Sequence, residues 1–257
     1  MAEGSRLYSA VMKFWYSYIS RLDKNKEAIF LNYGYVDDNN IELKQEDETN
    51  RYPIQLYHQI ANSIDLSGLN VLEVGCGRGG GASYVARYLK PKSIKGIDRC
   101  KEAVKFCSNH HSAEGLSFSC ADALDLPFED NAFDAVINVE SSHCYTDINK
   151  FLSEVNRILK PKGHFLLTDF RNKDGMTSFK KQLTDSGLII IKEKEITSNV
   201  VDALNQDSER RLDMIKRQVP KFFHKSTRQF AGVKGSELHD SFATGKRRYF
   251  SFVLQKP

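Results

Sequence analysis

The run Asn70-Val71-Leu72-Glu73-Val74-Gly75-Cys76-Gly77-Arg78-Gly79-Gly80-Gly81 restricts what this chain can become more than any other stretch. A short apolar segment passes through closely spaced glycines into Ala82-Ser83-Tyr84-Val85-Ala86-Arg87-Tyr88-Leu89, which has the pattern of a helix. A buried parallel strand, a tight turn and a helix N-terminus produce such a sequence. Glycines at 75 and 77 permit a sharp turn and leave no Cβ between backbone and ligand. The amides of the turn and of the helix start are expected to face whatever is bound. The stretch therefore predicts a nucleotide-type cofactor site.

Gly75, Gly77 and Gly80 also satisfy the G-x-G-x-x-G dinucleotide pattern, so the cofactor must be decided elsewhere. Glu73 stands two residues before the first glycine, where a carboxylate repels phosphate but suits a sulfonium and an ammonium group. Ile94-Lys95-Gly96-Ile97-Asp98 reads as a second strand ending in an acid about 20 residues past the turn, placed for ribose hydroxyls. Phe118-Ser119-Cys120-Ala121-Asp122-Ala123 reads as a third strand, with Asp122 placed to accept from an adenine amino group. An acidic rim without provision for phosphates argues against NAD and for S-adenosylmethionine. Cys76 and Arg99 join Glu73, Gly75, Gly77, Asp98 and Asp122 as candidate cofactor contacts, with Ala123, Asn138 and Glu140 at later strand ends. Arg78 is expected to be solvent-exposed.

Val71–Gly77, Asp98, Ala121–Leu126, Phe133-Asp134-Ala135-Val136 and Leu159-Lys160-Pro161-Lys162-Gly163 resemble the successive motifs of class I S-adenosylmethionine-dependent methyltransferases. Within that superfamily the chain is similar to small-molecule enzymes of the methyltransferase 11 type. Asn32–Tyr35, Leu56-Tyr57-His58, Gly79–Tyr84, Ser141-Ser142-His143-Cys144-Tyr145 and Phe230-Ala231-Gly232-Val233 look like segments of mycobacterial O-methyltransferases of dimycocerosate lipids. The resemblance implies a Rossmann-like α/β sheet, S-adenosylmethionine as methyl donor with S-adenosylhomocysteine as product, and a small or lipid-like acceptor. It also implies that Asn32–Tyr35 crosses the cofactor near its carboxylate, which makes Tyr33 and Tyr35 candidates for the pocket wall. A plain aromatic turn explains the same residues.

The pattern from residue 70 to 170 agrees with that fold. Strands over 71–75, 94–98, 116–120, 133–139 and 163–169 alternate with helices over 80–90, 101–110 and 147–159. Such alternation makes a parallel sheet covered by helices, with ligands beyond the carboxyl ends of the strands. A helix through 179–186 and a short strand at 188–191 continue the sheet. Charged helical sequence around 208–219 interrupts it, and 249–254 closes it as an antiparallel C-terminal edge. We expect one domain: an N-terminal helical lid (1–66), a cofactor-binding core (67–172), a helical insertion (173–230) and the C-terminal edge (231–257). Residues 7–22 repeat Leu7, Val11, Phe14, Trp15, Tyr18 and Leu22 at helical spacing, which suits a lid and leaves peripheral membrane contact open. The helix from 54 to 64 carries His58, expected to be a satisfied histidine.

The chain has 257 residues, 37 Lys and Arg against 33 Asp and Glu, and a net charge of +4. Charges so interspersed give no reason to expect nucleic acid. Lys and Arg gather late, at Arg228, Lys234 and 246–248, where a solvated face is the plain reading and an edge for a phosphate-bearing or acidic substrate the lesser one. The five cysteines have no tight spacing, which speaks against zinc and a disulfide framework and for free thiols in a reducing compartment. With neither a signal sequence nor a membrane-length apolar run, a cytoplasmic location is expected.

A neutral hydroxyl is a poor nucleophile and gains from a base. His143, just after the fourth strand, is the candidate, and Asp169, ending Phe165-Leu166-Leu167-Thr168-Asp169, is its candidate orienting partner. Sugar O-methyltransferases of the same superfamily carry a similar pair at a similar spacing. The plainer alternative is that His143 merely lines the pocket of an enzyme that needs no base and that Asp169 bonds only backbone. Glu140, His143 and Asp169 could also form an oxygen-rich metal site. The alternatives to O-methylation are an N- or C-methyltransferase of the sarcosine/dimethylglycine or sterol kind, and a non-catalytic cofactor-binding partner subunit.

Overall fold

A computed structural model describes residues 27–39 and 41–257. The expected aromatic helix over 7–22 lies outside the described residues. The elements run α1 (Arg51–Ala61), β1 (Asn70–Val74), α2 (Gly80–Tyr84), β2 (Ser93–Asp98), α3 (Lys101–His110), β3 (Leu116–Cys120) and β4 (Phe133–Val139). Then follow α4 (Ile148–Ile158), β5 (Leu159–Asn172), α5 (Lys173–Asp185), β6 (Ile189–Glu195), α6 (Thr197–Gln218), α7 (His224–Phe230), α8 (Glu237–Ala243) and β7 (Arg247–Gln255).

The seven strands form one sheet in the order β3-β2-β1-β4-β5-β7-β6. From β3 to β5 all pairings are parallel, and β7 runs antiparallel to both of its neighbours. Central strands are buried on both faces, hence their continuous apolar sequences: Val71, Leu72 and Val74 on β1, and Ala135, Val136 and Ile137 on β4, are almost wholly buried. The two faces are covered by separate apolar clusters. One gathers Ile54, Leu56, Ile60, Val85 and Leu204; the other gathers Phe151, Leu152, Val155, Ile158, Phe179 and Leu183. The second set shows why α4 forms where it does. Its apolar residues recur on one face, and the Asp147 side chain accepts the Lys150 amide at 2.9 Å to cap the first turn.

The C-terminal strand is antiparallel, as the sequence suggests, yet it is inserted between β5 and β6 instead of closing the sheet. The free margin on that side is β6, whose Ile189 and Ile191 are exposed and whose outer half reads Lys192-Glu193-Lys194-Glu195. Alternating charges of that kind discourage edge-to-edge pairing. The expected helix over 80–90 is interrupted: α2 passes into a π-helical turn over Val85–Leu89. Cys76, Cys100 and Cys107 are buried, Cys144 is half-buried and Cys120 is exposed, all as free thiols. Among the described residues, no helix is long and apolar enough to cross a membrane.

Candidate active site

Chain order reverses between β1 and β4, and an α/β sheet opens a crevice at such a point. The main cavity lies there, between the turn at 75–77 and the segment 139–146 that follows β4. Gly75, Cys76, Gly77, Asp98, Arg99, Asp122, Ala123 and Glu140 line it; Tyr33, Glu73, Asn138, His143 and Asp169 do not.

The turn differs from expectation. Its amides do not face the cavity as a set: those of Gly75 and Cys76 donate to the Ile97 carbonyl at 2.8 and 2.9 Å, and that of Gly77 donates to Asp98 Oδ2 at 3.0 Å. The amides of Gly79 and Gly80 are taken by the carbonyls of Cys76 and Ile29. The cause is register, since β1 and β2 pair in parallel and Ile97, opposite Val74, presents the nearest acceptor. A pyrophosphate would need those amides. Their commitment to β2, with three carboxylates on the cavity wall, fits a cationic cofactor that carries no phosphate. Gly75 is required twice over, by φ of 77° and because a Cβ would collide with the Ser141 hydroxyl.

Each carboxylate has a defined setting. Asp98 also accepts the Cys100 amide at 2.8 Å, and burial pushes its carboxyl above the ordinary value against the pull of these amides. Asp122 is exposed at the rim and accepts the Leu124 amide at 2.9 Å. Glu140 adopts a left-handed φ of 46°, and its Oε1 accepts both the Tyr33 amide and the Tyr249 hydroxyl at 2.8 Å. Burial pushes its carboxyl up to about 7.

Glu73 lies behind the wall. Tyr57, which does line the cavity, donates its hydroxyl to Glu73 Oε1 at 2.6 Å, while Oε2 is fully buried without a hydrogen bond. Burial pushes Glu73, too, up to about 7. Any effect of Glu73 on a ligand thus passes through Tyr57 or acts as a field. Asn138 is also structural in position: its Nδ2 donates to the Val74 carbonyl and to Ser141 Oγ, bracing the end of β1 against the segment after β4. Arg78 corrects an expectation of exposure, being 1% exposed with its guanidinium 3.6 Å from the centre of the Phe106 ring. An Arg can be buried when its plane stacks on an aromatic face. His58, half-buried, meets the Tyr84 hydroxyl at 2.7 Å.

His143 and Asp169 meet. The His143 Nδ1 donates to Asp169 Oδ1 at 2.8 Å, and the same carboxylate accepts the amides of His143 and Phe170 and the Ser142 hydroxyl. Arg171 Nη1 is 3.2 Å from Asp169 Oδ2, and its Nη2 donates to Ser142 Oγ at 2.8 Å. Burial opposes ionisation of Asp169, but His143 and Arg171 outweigh it and hold the carboxyl well below the usual range. Burial likewise opposes a charged His143; the neighbouring Cys144 sulfur and the Asp169 carboxylate outweigh it, so the imidazole is raised well above its ordinary value. The His143 ring packs on Phe170 at 4.4 Å, just behind a wall to which Glu140, Ser141 and Cys144 contribute. Among the described residues, no group of three or more His, Cys, Asp or Glu is arranged to hold a metal ion.

Two further residues, Arg171 and Arg211, serve the site without belonging to a motif. Arg171 stands two residues after Asp169 on one strand and so shares its face, a period-2 signal that was available. Arg211 on α6 is buried, pairs with Asp207 Oδ2 at 2.8 Å and donates to the carbonyls of Asn32 and Tyr33 at 3.1 Å. It fixes the loop whose amide binds Glu140. Only the tertiary fold brings residues 32 and 211 together.

A sequence profile described as a methyltransferase domain matches residues 72–167. The chain is 37% identical to the phthiotriol/phenolphthiotriol dimycocerosates methyltransferase of Mycobacterium tuberculosis, over 99% of this chain and 95% of that one. It is 39% identical to a fatty-acid O-methyltransferase of Mycolicibacterium smegmatis, over 94% of this chain and 89% of the relative. Geranyl diphosphate C-methyltransferase of Streptomyces coelicolor, solved with S-adenosyl-L-homocysteine, superposes with a TM-score of 0.69 at 15% identity over 100% of both chains, a likeness of fold. An acid-lined crevice at the sheet's reversal point and identity along nearly the whole sequence lead to one conclusion: the chain belongs to the S-adenosylmethionine-dependent methyltransferase family that includes the phthiotriol/phenolphthiotriol dimycocerosates methyltransferases.

Proposed function

We propose that the enzyme methylates a hydroxyl oxygen of a lipid-like acceptor, with His143 as general base and Asp169 as the residue that orients it. The observation that carries this reading is the 2.8 Å contact between His143 Nδ1 and Asp169 Oδ1, buried beside the cofactor crevice. The relatives support the acceptor class, since one is named for phthiotriol lipids and another as a fatty-acid O-methyltransferase.

Gly75, Cys76, Gly77, Asp98, Arg99, Asp122, Ala123 and Glu140 would hold the cofactor, with Tyr33, Glu73 and Asn138 supporting them from behind the wall. S-adenosylmethionine, when bound, supplies an electrophilic methyl group and becomes S-adenosylhomocysteine. The chain's own work is to position the acceptor and take up its proton. Asp169 commits Nδ1, so Nε2 is the nitrogen that receives the hydroxyl proton as the new oxygen–carbon bond forms. The Asp169 charge then stabilises the resulting imidazolium.

The test is transfer of labelled methyl from S-adenosylmethionine to lipid alcohols, fatty acids, amines and sugars, with wild type and His143→Ala compared. Base catalysis contributes about 10²–10⁴-fold, so the variant should lose most turnover of alcohols while binding S-adenosylhomocysteine as before. Retained turnover would reduce His143 to a packing residue behind the crevice wall and favour a carboxylate, amine or carbon acceptor. Turnover of sugars alone would refute the lipid-like class.

A further inference from the structure

A second surface, outside the crevice, carries chemistry that methyl transfer does not use. The turn at Lys221–Phe223, helix α7 and the segment to Ser236 enclose a shallow groove whose cationic lining is Lys221, Lys225, Arg228 and Lys234. Among the described residues none of these four makes an ion pair, whereas the three arginines of α6 are neutralised. Arg210 and Arg211 pair with Asp207, and Arg217 pairs with Glu27 and Asp213. Beside the groove Phe222 is 89% exposed, the most exposed large hydrophobic residue among those described. Its ring stands edge-on to Phe223 at 5.2 Å.

Unpaired cations clustered around a protruding aromatic ring are complementary to a bilayer whose headgroups are anionic and whose acyl boundary accepts the ring. The attraction is local, because the whole chain carries only +4. A nucleic acid would be met by stacked aromatics along a basic track, and here one exposed ring projects. The surface is also joined to the active site. Arg211 donates to the Ala231 carbonyl at the end of α7 and to the carbonyls of Asn32 and Tyr33, and the Tyr33 amide donates to Glu140 on the crevice wall.

We propose that this face docks on an anionic lipid bilayer, with Lys221, Lys225, Arg228 and Lys234 on headgroup phosphates and Phe222 in the interface. The proposal goes beyond the transfer reaction and does not depend on which acceptor is methylated. It is tested by sedimenting the full chain with vesicles of phosphatidylcholine alone or mixed with phosphatidylglycerol. Binding should require the anionic lipid and weaken as salt rises. Each Lys or Arg changed to Gln should reduce it about fivefold, and Phe222→Ser should reduce it at all salt concentrations. Both kinds of variant should bind S-adenosylhomocysteine with unchanged affinity, which shows that they are folded. Equal binding to both vesicle types, or vesicle binding that survives the combined K221Q, K225Q, R228Q and K234Q changes, overturns the proposal. So does complete displacement by inorganic phosphate at matched ionic strength, the behaviour of a soluble-anion pocket, or a preference for RNA over vesicles.

Discussion

His143 must be neutral to accept a proton, and its surroundings favour the charged form. The Asp169 carboxylate, saturated with donors, orients the ring and also raises its affinity for a proton. If His143 is the base, the rate should rise with pH through the folded-state value, so the acid limb of the kcat profile should lie above the ordinary histidine value of about 6.5. Asp169→Asn should lower the rate and move that limb toward ordinary histidine. A limb that stays in place after this change would show that another group titrates. Glu73 allows a test of stability. Its carboxyl is raised from 4.5 to about 7, so the folded protein binds the proton more tightly than the unfolded chain. Stability should therefore fall as pH rises from about 4.5 to about 7, and level off above that. Glu73→Gln should remove about 3 kcal/mol of this slope, as read from denaturant midpoints across the range. Glu140 contributes a second slope in the same window and should remain.

Elements act through the spacing between them. A Cβ on Gly81 would overlap the Tyr57 ring, so α1 and α2 approach only because that position is bare. Gly81→Ala should cost about 1–3 kcal/mol in overpacking; by displacing Tyr57 from Glu73 it should also weaken cofactor binding in calorimetry. Arg211 ties α6 to the loop at 32–35. Arg211→Met leaves Asp207 to Arg210 alone and removes the donor to the carbonyls of Asn32, Tyr33 and Ala231; it should destabilise by about 1–3 kcal/mol, with cofactor affinity falling as the Tyr33 amide leaves Glu140. At this scale the sequence was readable wherever periodicity was local. Strands β1, β3 and β4 and helices α3 and α4 appear within a residue or so of their expected limits, since alternation of apolar runs and punctuation encodes them. What it did not disclose depends on distant neighbours: that Ile97 would consume the amides of Gly75 and Cys76, that Phe106 would bury Arg78, and that Tyr57 would stand between Glu73 and the crevice. The contact between His143 and Asp169 lay between these cases, because adjacent parallel strands bring their ends together once the sheet order is known.

Over the whole molecule, one long-range pairing controls completion. Strand β7 pairs with β5 and β6 at once and carries Tyr249, whose hydroxyl is one of two donors to Glu140. Synthesis proceeds from the N-terminus, and pairings between residues far apart in sequence form slowly. A nascent chain interrupted before residue 247 would therefore expose the unsatisfied edges of β5 and β6 and leave Glu140 short of a partner. Quality control by proteases would meet a recognisable, unfinished sheet. If Glu140 holds the methyl donor as proposed, competence to bind it would wait on the arrival of residues 247–255, and a copy without that strand would be inert as well as short-lived.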